Sequence, residues 1–359
     1  MNGTRTHDHE PQFPLPRIPP PVACLLHYIL VGSASMAMHD ALVGQTTTLT
    51  RLFSNHLGTP PTRVFRIGIF FGIYAAWLLA FRLSTVHSRA VRVALSSNPG
   101  EIGKISKRQQ QSIVQVKYPA ATVWYEMTWF CNVTLVMAAG SLVSNRWTLA
   151  CAYGLTVAID QLLWYVDGVV FCFTFLTPQK LGQRRRRTLV GVFEHLLGPE
   201  IRWIDRLTCF HHLWTLPLLV VSAQASVTQQ ENWESEHNHH TWLLSTSHGD
   251  YRYFYRVWIL SAVVMVCNVV SSRLLVPYGV LVSWPRSHAP MIRHRPFFHY
   301  LNVNLSREIW RNLSKSIAFL HIQHDSPGTL LYLFRLLTRW MLLNTIILIG
   351  FLVLVEISR

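Results

Sequence analysis

Residues 147–177, WTLACAYGLTVAIDQLLWYVDGVVFCFTFLT, form a nearly unbroken apolar run. A helix of roughly 20 apolar residues crosses a bilayer core of about 30 Å, so this stretch is long enough to span with tilt. Two carboxylates, Asp160 and Asp167, interrupt it. At that spacing they share one helix face about 10 Å apart, with Trp164 between them. A charge in hydrocarbon costs at least about 2.5 kcal/mol, so such residues face the interior of a helix bundle and have partners there. The other apolar segments then read as the wall around this helix.

Composition agrees with that reading. Half of the 359 residues are apolar and 14% are charged, against roughly 25% charged in ordinary soluble domains. Thirteen Trp and twelve Tyr suit a chain with two membrane interfaces to populate. The net charge of +15 is divided among loops between apolar spans rather than gathered on one domain. It therefore points to anionic lipid headgroups and not to nucleic acid. The six cysteines, Cys24, Cys131, Cys151, Cys172, Cys209 and Cys267, fall in or beside apolar segments with no CxxC pair, and read as buried thiols.

Residues 1–21 are polar and then proline-rich, an extended or disordered cytoplasmic tail without the features of a cleaved signal peptide. Spans are expected at about 22–38, 65–83, 121–143, 149–176, 207–223, 255–282 and 335–355. With seven spans, 24 of the 32 Lys and Arg residues fall on one side and seven on the other, Arg273 lying inside a span. The positive-inside rule puts the N-terminus in the cytoplasm and the C-terminus outside. Short spans point to a thin membrane such as the endoplasmic reticulum. In the last cytoplasmic loop, Leu305, Ile309, Leu313 and Ile317 form one stripe and Arg307, Arg311 and Lys315 another. That pattern predicts an interfacial amphipathic helix over about 303–320.

Counting 1.5 Å per residue from the span ends places Glu126, Asp167, His211, His212, Arg273 and His27 in one cytoplasmic layer, with Asp160 deeper. Asp160, Asp167, His211 and His212 are the catalytic candidates, and Glu126, Trp164 and Arg273 the substrate-binding ones. Each also has a structural reading. Asp167 and Arg273 could be an ion pair that orients helices, and Glu126 could snorkel to the interface. Asp160 could be satisfied by Asn132 or Asn268. His211 and His212 are about 100° apart on a regular helix, so only one of them should face a cavity. A looser histidine group, His237, His239, His240 and His248, reads as a solvated loop. Ala150, Gly154 and Ala158 form a small-residue stripe suited to close helix packing.

No Walker loop, GxGxxG or GxSxG is present, and no lysine lies in the last span for a retinal-type Schiff base. Seven spans with an inside N-terminus resemble, in topology, the membrane hydrolases related to alkaline ceramidases and adiponectin receptors. Those hold zinc through Ser-x3-His, an Asp and a late His-x3-His. Here Ser35 and His39 supply one Ser-x3-His at the outer end of the first span. No His-x3-His occurs late, His321 and His324 being three apart. No metal is expected from that resemblance, and no cofactor is named by any motif.

The expectation is an all-α integral membrane bundle of about seven helices with one interfacial helix. The leading functional reading is an enzyme acting on a lipid or isoprenoid at the cytoplasmic leaflet. A proton-coupled carrier titrating at Asp160 and a non-catalytic membrane scaffold are the alternatives.

Overall fold

The computed structural model describes residues 18–43, 63–85, 91–93, 120–176, 203–213, 215–220, 249–276, 280–283, 298–300 and 329–357. The amphipathic segment 303–320, the histidine-rich loop and nearly all of the N-terminal tail lie outside these residues. Helix α1 covers Pro20–Val43 and α2 covers Arg63–Ser84. Pro20 and Pro21 sit in the first turn of α1, where a missing N–H leaves no helical bond unmade, so the helix starts within the end of the proline-rich stretch. The third apolar segment is two helices, α3 (Ala120–Glu126) and α4 (Phe130–Val143). The opening stretch is also two, α5 (Trp147–Thr156) and α6 (Ala158–Leu176). Helix α7 (Trp203–Cys209) leads through a turn at Phe210 into further helix at 211–213 and 215–220. Helix α8 spans Gly249–Leu275. Helix α9 (Thr329–Arg335) continues through a π-helical turn, Leu336–Trp340, into α10 (Met341–Ile357).

Among the described residues, four helices are long and apolar enough to cross a membrane, or five if α5 and α6 count as one bent span. The outer surface is apolar too, with Leu330 83% and Leu274 76% exposed. Polar residues such as Asn132, Gln161 and Asn344 are buried instead. This is the pattern of an α-helical membrane protein, whose exterior faces lipid and whose polar groups turn inward.

The membrane-embedded part is helical, but a small sheet departs from the all-α expectation. Strand β1 (Val91–Val93) pairs antiparallel with β2 (Val280–Ser283), and β2 with β3 (Phe298–Tyr300). Val91 lies opposite Val282, and Leu281 opposite Tyr300. Apolar composition alone extends the sixth span to 282, whereas α8 stops at Leu275 and 280–282 is strand. Pro277 explains the stop, because proline disfavours helix at the residue before it and cannot donate to the helical ladder.

Both breaks in apolar helices are satisfied by side chains. Between α3 and α4, Asn132 donates to Glu126 O at 2.7 Å and Tyr28 to Met127 O at 2.6 Å. Thr128 Oγ1 donates to Tyr125 O at 2.7 Å. Between α5 and α6 the axis bends by 55°. There Asn344 of α10 accepts from Ile159 N at 2.7 Å and donates to Thr156 O at 3.2 Å. Without water, freed backbone groups need such partners, which is how an interrupted helix persists in a bundle.

Helix α5 is central, packed by α4, α8 and α10, while α2 runs along α4 and α1 along α8. Within the stripe of Ala150, Gly154 and Ala158, Gly154 faces the helix at 215–220. A Cβ on Gly154 would lie 2.8 Å from Leu219 Cδ1. At Gly68 of α2 a Cβ would lie 2.9 Å from Leu142 Cβ and 3.0 Å from the Val143 backbone nitrogen.

Candidate functional site

The bend between α5 and α6 puts Asp160, Gln161 and Trp164 on a buried face of α6, toward the segment after α7. Across from them stand His211 and His212. His212 stacks flat on Trp164, with ring centroids 4.2 Å apart and planes 6° apart. Its Nδ1 lies 2.9 Å from Gln161 Nε2 and 3.8 Å from Asp160 Oδ2. The i, i+4 spacing of Asp160 and Trp164 lets one helix face hold both the edge and the flat side of one imidazole.

His211 is held differently. Its Nδ1 is 2.8 Å from Thr208 O, so that nitrogen carries the proton and donates to the carbonyl. Its Nε2, an acceptor in this tautomer, is buried with no hydrogen-bond partner among the described residues. The segment is clamped in place by three more bonds. Thr215 donates to His211 O, Tyr165 of α6 donates to Leu213 O, and Tyr74 of α2 donates to Leu207 O at 2.7 Å.

Adjacent histidines on a regular helix should diverge, yet these rings are 4.0 Å apart at a 37° tilt and both are buried. The helix is not regular here. Phe210 N donates to Leu207 O, a tightened i to i−3 turn, and this turn separates α7 from the helix that follows. The expectation that only one of the pair turns inward therefore fails for a local reason. Cys131, in the first turn of α4 just past the 127–129 break, completes the group. One ligand-type atom from each of Cys131, His211 and His212 lies within 4.8 Å of the others.

Glu126 does not snorkel. It is fully buried and its Oε2 lies 3.3 Å from Arg82 Nη1, with the Arg82 side chain only 3% exposed. A buried pair of this kind removes a net charge from the interior. Asp160 has His212 beside it rather than the proposed Asn132, whose amide serves the α3/α4 break. Asn268 is buried with neither amide atom hydrogen-bonded among the described residues.

His27 and Arg273, expected in the same layer, are held in other contacts. His27 Nδ1 is 2.8 Å from Ser271 Oγ, joining α1 to α8. Arg273 donates from Nη1 to Thr329 Oγ1 at 3.0 Å, and its guanidinium lies 4.4 Å over the Tyr332 ring. Asp167 is fully buried on α6, beyond Trp164 in sequence. The histidine pair is level with Asp160 and Trp164, because α7 and its continuation meet α6 near its start. Counting residues from assumed span ends had put the pair level with Asp167.

Sequence reasoning missed three participants. Arg82 sits at the end of the expected second span and counts with the basic residues of one side, Cys131 reads as a buried thiol, and no motif singles out Gln161. Ser35 and His39 take no part in this group. Ser35 Oγ bonds Val31 O and Tyr153 OH, and His39 lies beside Asp40.

No protein-family model matches the chain, and no curated protein and no solved structure matches it. Any functional assignment rests on the residues themselves.

Proposed function

We propose that the chain is a seven-span membrane enzyme acting on a lipid or isoprenoid at the cytoplasmic leaflet, and that its reaction involves proton transfer at the Asp160–His212 cluster. The observation that carries this reading is the carboxylate 3.8 Å from a buried imidazole that is itself stacked on Trp164. A base oriented by an acid and fixed by packing is the general arrangement of acid–base catalysis. A polar cluster inside a bundle with an apolar exterior suits a substrate that arrives through lipid, and Arg273 is the cation for an anionic headgroup. Asp167 remains a second carboxylate on the same helix.

The orientation proposed is N-terminus cytoplasmic and C-terminus extracytoplasmic, in an endoplasmic-reticulum-like membrane with anionic headgroups against the basic loops. Pairing of β1 with β2 supports the alternation of spans, since it joins the segments that follow α2 and α8. Glycosylation mapping tests it. The sequons at Asn304 and Asn312 should stay unmodified, a sequon introduced within 224–250 should be modified, and native sugar on Asn312 would reverse the orientation.

Helix breaks favour one other reading, a proton-coupled carrier, because discontinuous helices line many transport sites. The bent α5/α6 pair beside Asp160 is such a break. Lipid profiles of cells lacking the chain separate the two readings. Accumulation of a lipid precursor, reversed by wild type but not by His212→Gln at equal protein level, supports the enzyme. An unchanged lipid profile with altered proton-driven uptake into vesicles supports the carrier.

A further inference from the structure

We propose that Cys131, His211 and His212 form a binding site for a borderline-soft divalent transition ion, best matched by Zn(II). This rests on reading the cluster as a site and adds the ion that would act there; with the ion bound, both nitrogens of His212 are engaged and Asp160 keeps the proton-transfer role. Three observations converge. One ligand-type atom from each residue lies within 4.8 Å of the others, from two separate parts of the chain. Tetrahedral zinc with Zn–N about 2.0–2.1 Å and Zn–S about 2.3 Å holds its ligand atoms about 3.3–3.8 Å apart, so side-chain rotations closing the group by about 1 Å suffice.

The second observation is the His211 tautomer. Its Nδ1–H is spent on Thr208 O, and the Nε2 lone pair is buried with no hydrogen-bond partner among the described residues. Metal-binding imidazoles show this arrangement, one nitrogen donating to a carbonyl or carboxylate and the other facing the ion. The third is the support behind His212. Gln161 and Asp160 both approach its Nδ1, at 2.9 and 3.8 Å. Gln161 Oε1 has no hydrogen-bond partner among the described residues. Amide nitrogen and oxygen exchange places on a half-turn, so Oε1 can accept from Nδ1–H and leave Nε2 of His212 for the ion.

Charge balance agrees. The Cys131 thiolate and the Asp160 carboxylate offset the two charges of the ion, and Glu126 neutralises Arg82 nearby. One sulfur and two imidazoles favour zinc over magnesium or calcium, which take oxygen ligands. Three protein ligands leave a fourth position for water or a substrate oxygen.

Full-length protein purified in detergent without chelator should contain about one zinc per chain by mass-spectrometric metal analysis. After removal of zinc and loading with Co(II), the wild type should show a thiolate-to-cobalt charge-transfer band. Cys131→Ser should lose that band, and His211→Gln should lose the metal, with unchanged elution on size exclusion. His27→Gln, a buried histidine elsewhere, should keep both. Gln161→Leu should weaken metal affinity about 10–100-fold. Wild type that neither purifies with zinc nor shows the charge-transfer band with Co(II) overturns the proposal, and this result needs no variant to fold. Retention of full metal content in both Cys131→Ser and His211→Gln overturns it equally. A metal-free protein whose His212→Gln variant still fails to correct the lipid profile removes the ion and leaves the enzyme reading standing. A metal-loaded protein without any lipid phenotype does the reverse.

Discussion

Two polar groups of this bundle, one partly exposed and one enclosed, differ in what they bring together. One joins the end of α1 to the α4–α5 turn. There Arg146 Nη2 lies 3.1 Å from Asp40 Oδ2, and Asp40 Oδ1 lies 3.1 Å from His39 Nδ1. Nearby, Ser35 Oγ and Tyr153 OH bond at 2.6 Å. Asp40 keeps 28% of its side chain exposed, so this group meets the outside. The other, around His211 and His212, is enclosed and keeps an imidazole nitrogen and an amide oxygen without hydrogen bonds among the described residues. Buried polarity alone does not separate a fastening from a site. Convergence of ligand-type atoms does: Cys131, His211 and His212 bring one each within 4.8 Å of the others, and among the described residues the first group gathers no such set.

The comparison can be broken first at Arg82 and Glu126, the ion pair beside the enclosed group. Removing one partner strands a charge in the interior, so Glu126→Gln or Arg82→Met alone should destabilise by roughly 3–5 kcal/mol. The double replacement Arg82→Met with Glu126→Leu should recover much of that loss. Thermal unfolding in detergent measures both. Equal stability of the single variants and wild type would mean that the pair is solvated.

A smaller effect is expected at Asn344→Leu, which strips partners from Ile159 N and Thr156 O at the bend. Two unsatisfied backbone groups should cost roughly 2–3 kcal/mol in the same assay. The bend positions Asp160, so the variant should also lower Co(II) affinity. The smallest effect belongs to the partly exposed group. Asp40→Asn should cost about 1 kcal/mol or less, since partly solvated ion pairs contribute little. A loss at Asp40 as large as that at Glu126 would erase the distinction.

The helical, apolar character of the bundle was legible because apolar length is an additive property of sequence. The buried face of α6 carrying Asp160 and Trp164 follows from helical spacing alone. Helix interruptions were not legible. Nothing in WYEMTWFCN or GLTVAID forces a break by itself. The breaks depend on Tyr28, Asn132 and Asn344, two of which come from other helices or from far along the chain. The site inherits the same difficulty. Cys131 reaches the histidines because α4 begins anew after residue 129, and both imidazoles point inward because Phe210 interrupts the helix. Depth counted along ideal helices could not anticipate either, and so spread one layer over residues that the fold places in separate contacts. The sheet was missed because its strands are too short to register beside long apolar runs.

The central claim is that the enclosed group works and the partly exposed one only holds. Its most direct test is complementation of cells lacking the chain by Asp160→Asn and by Asp40→Asn, compared at matched protein level in the membrane. The account predicts that Asp40→Asn restores function fully while Asp160→Asn, present in equal amount and unfolding at a similar temperature, restores none. Full restoration by Asp160→Asn would contradict it.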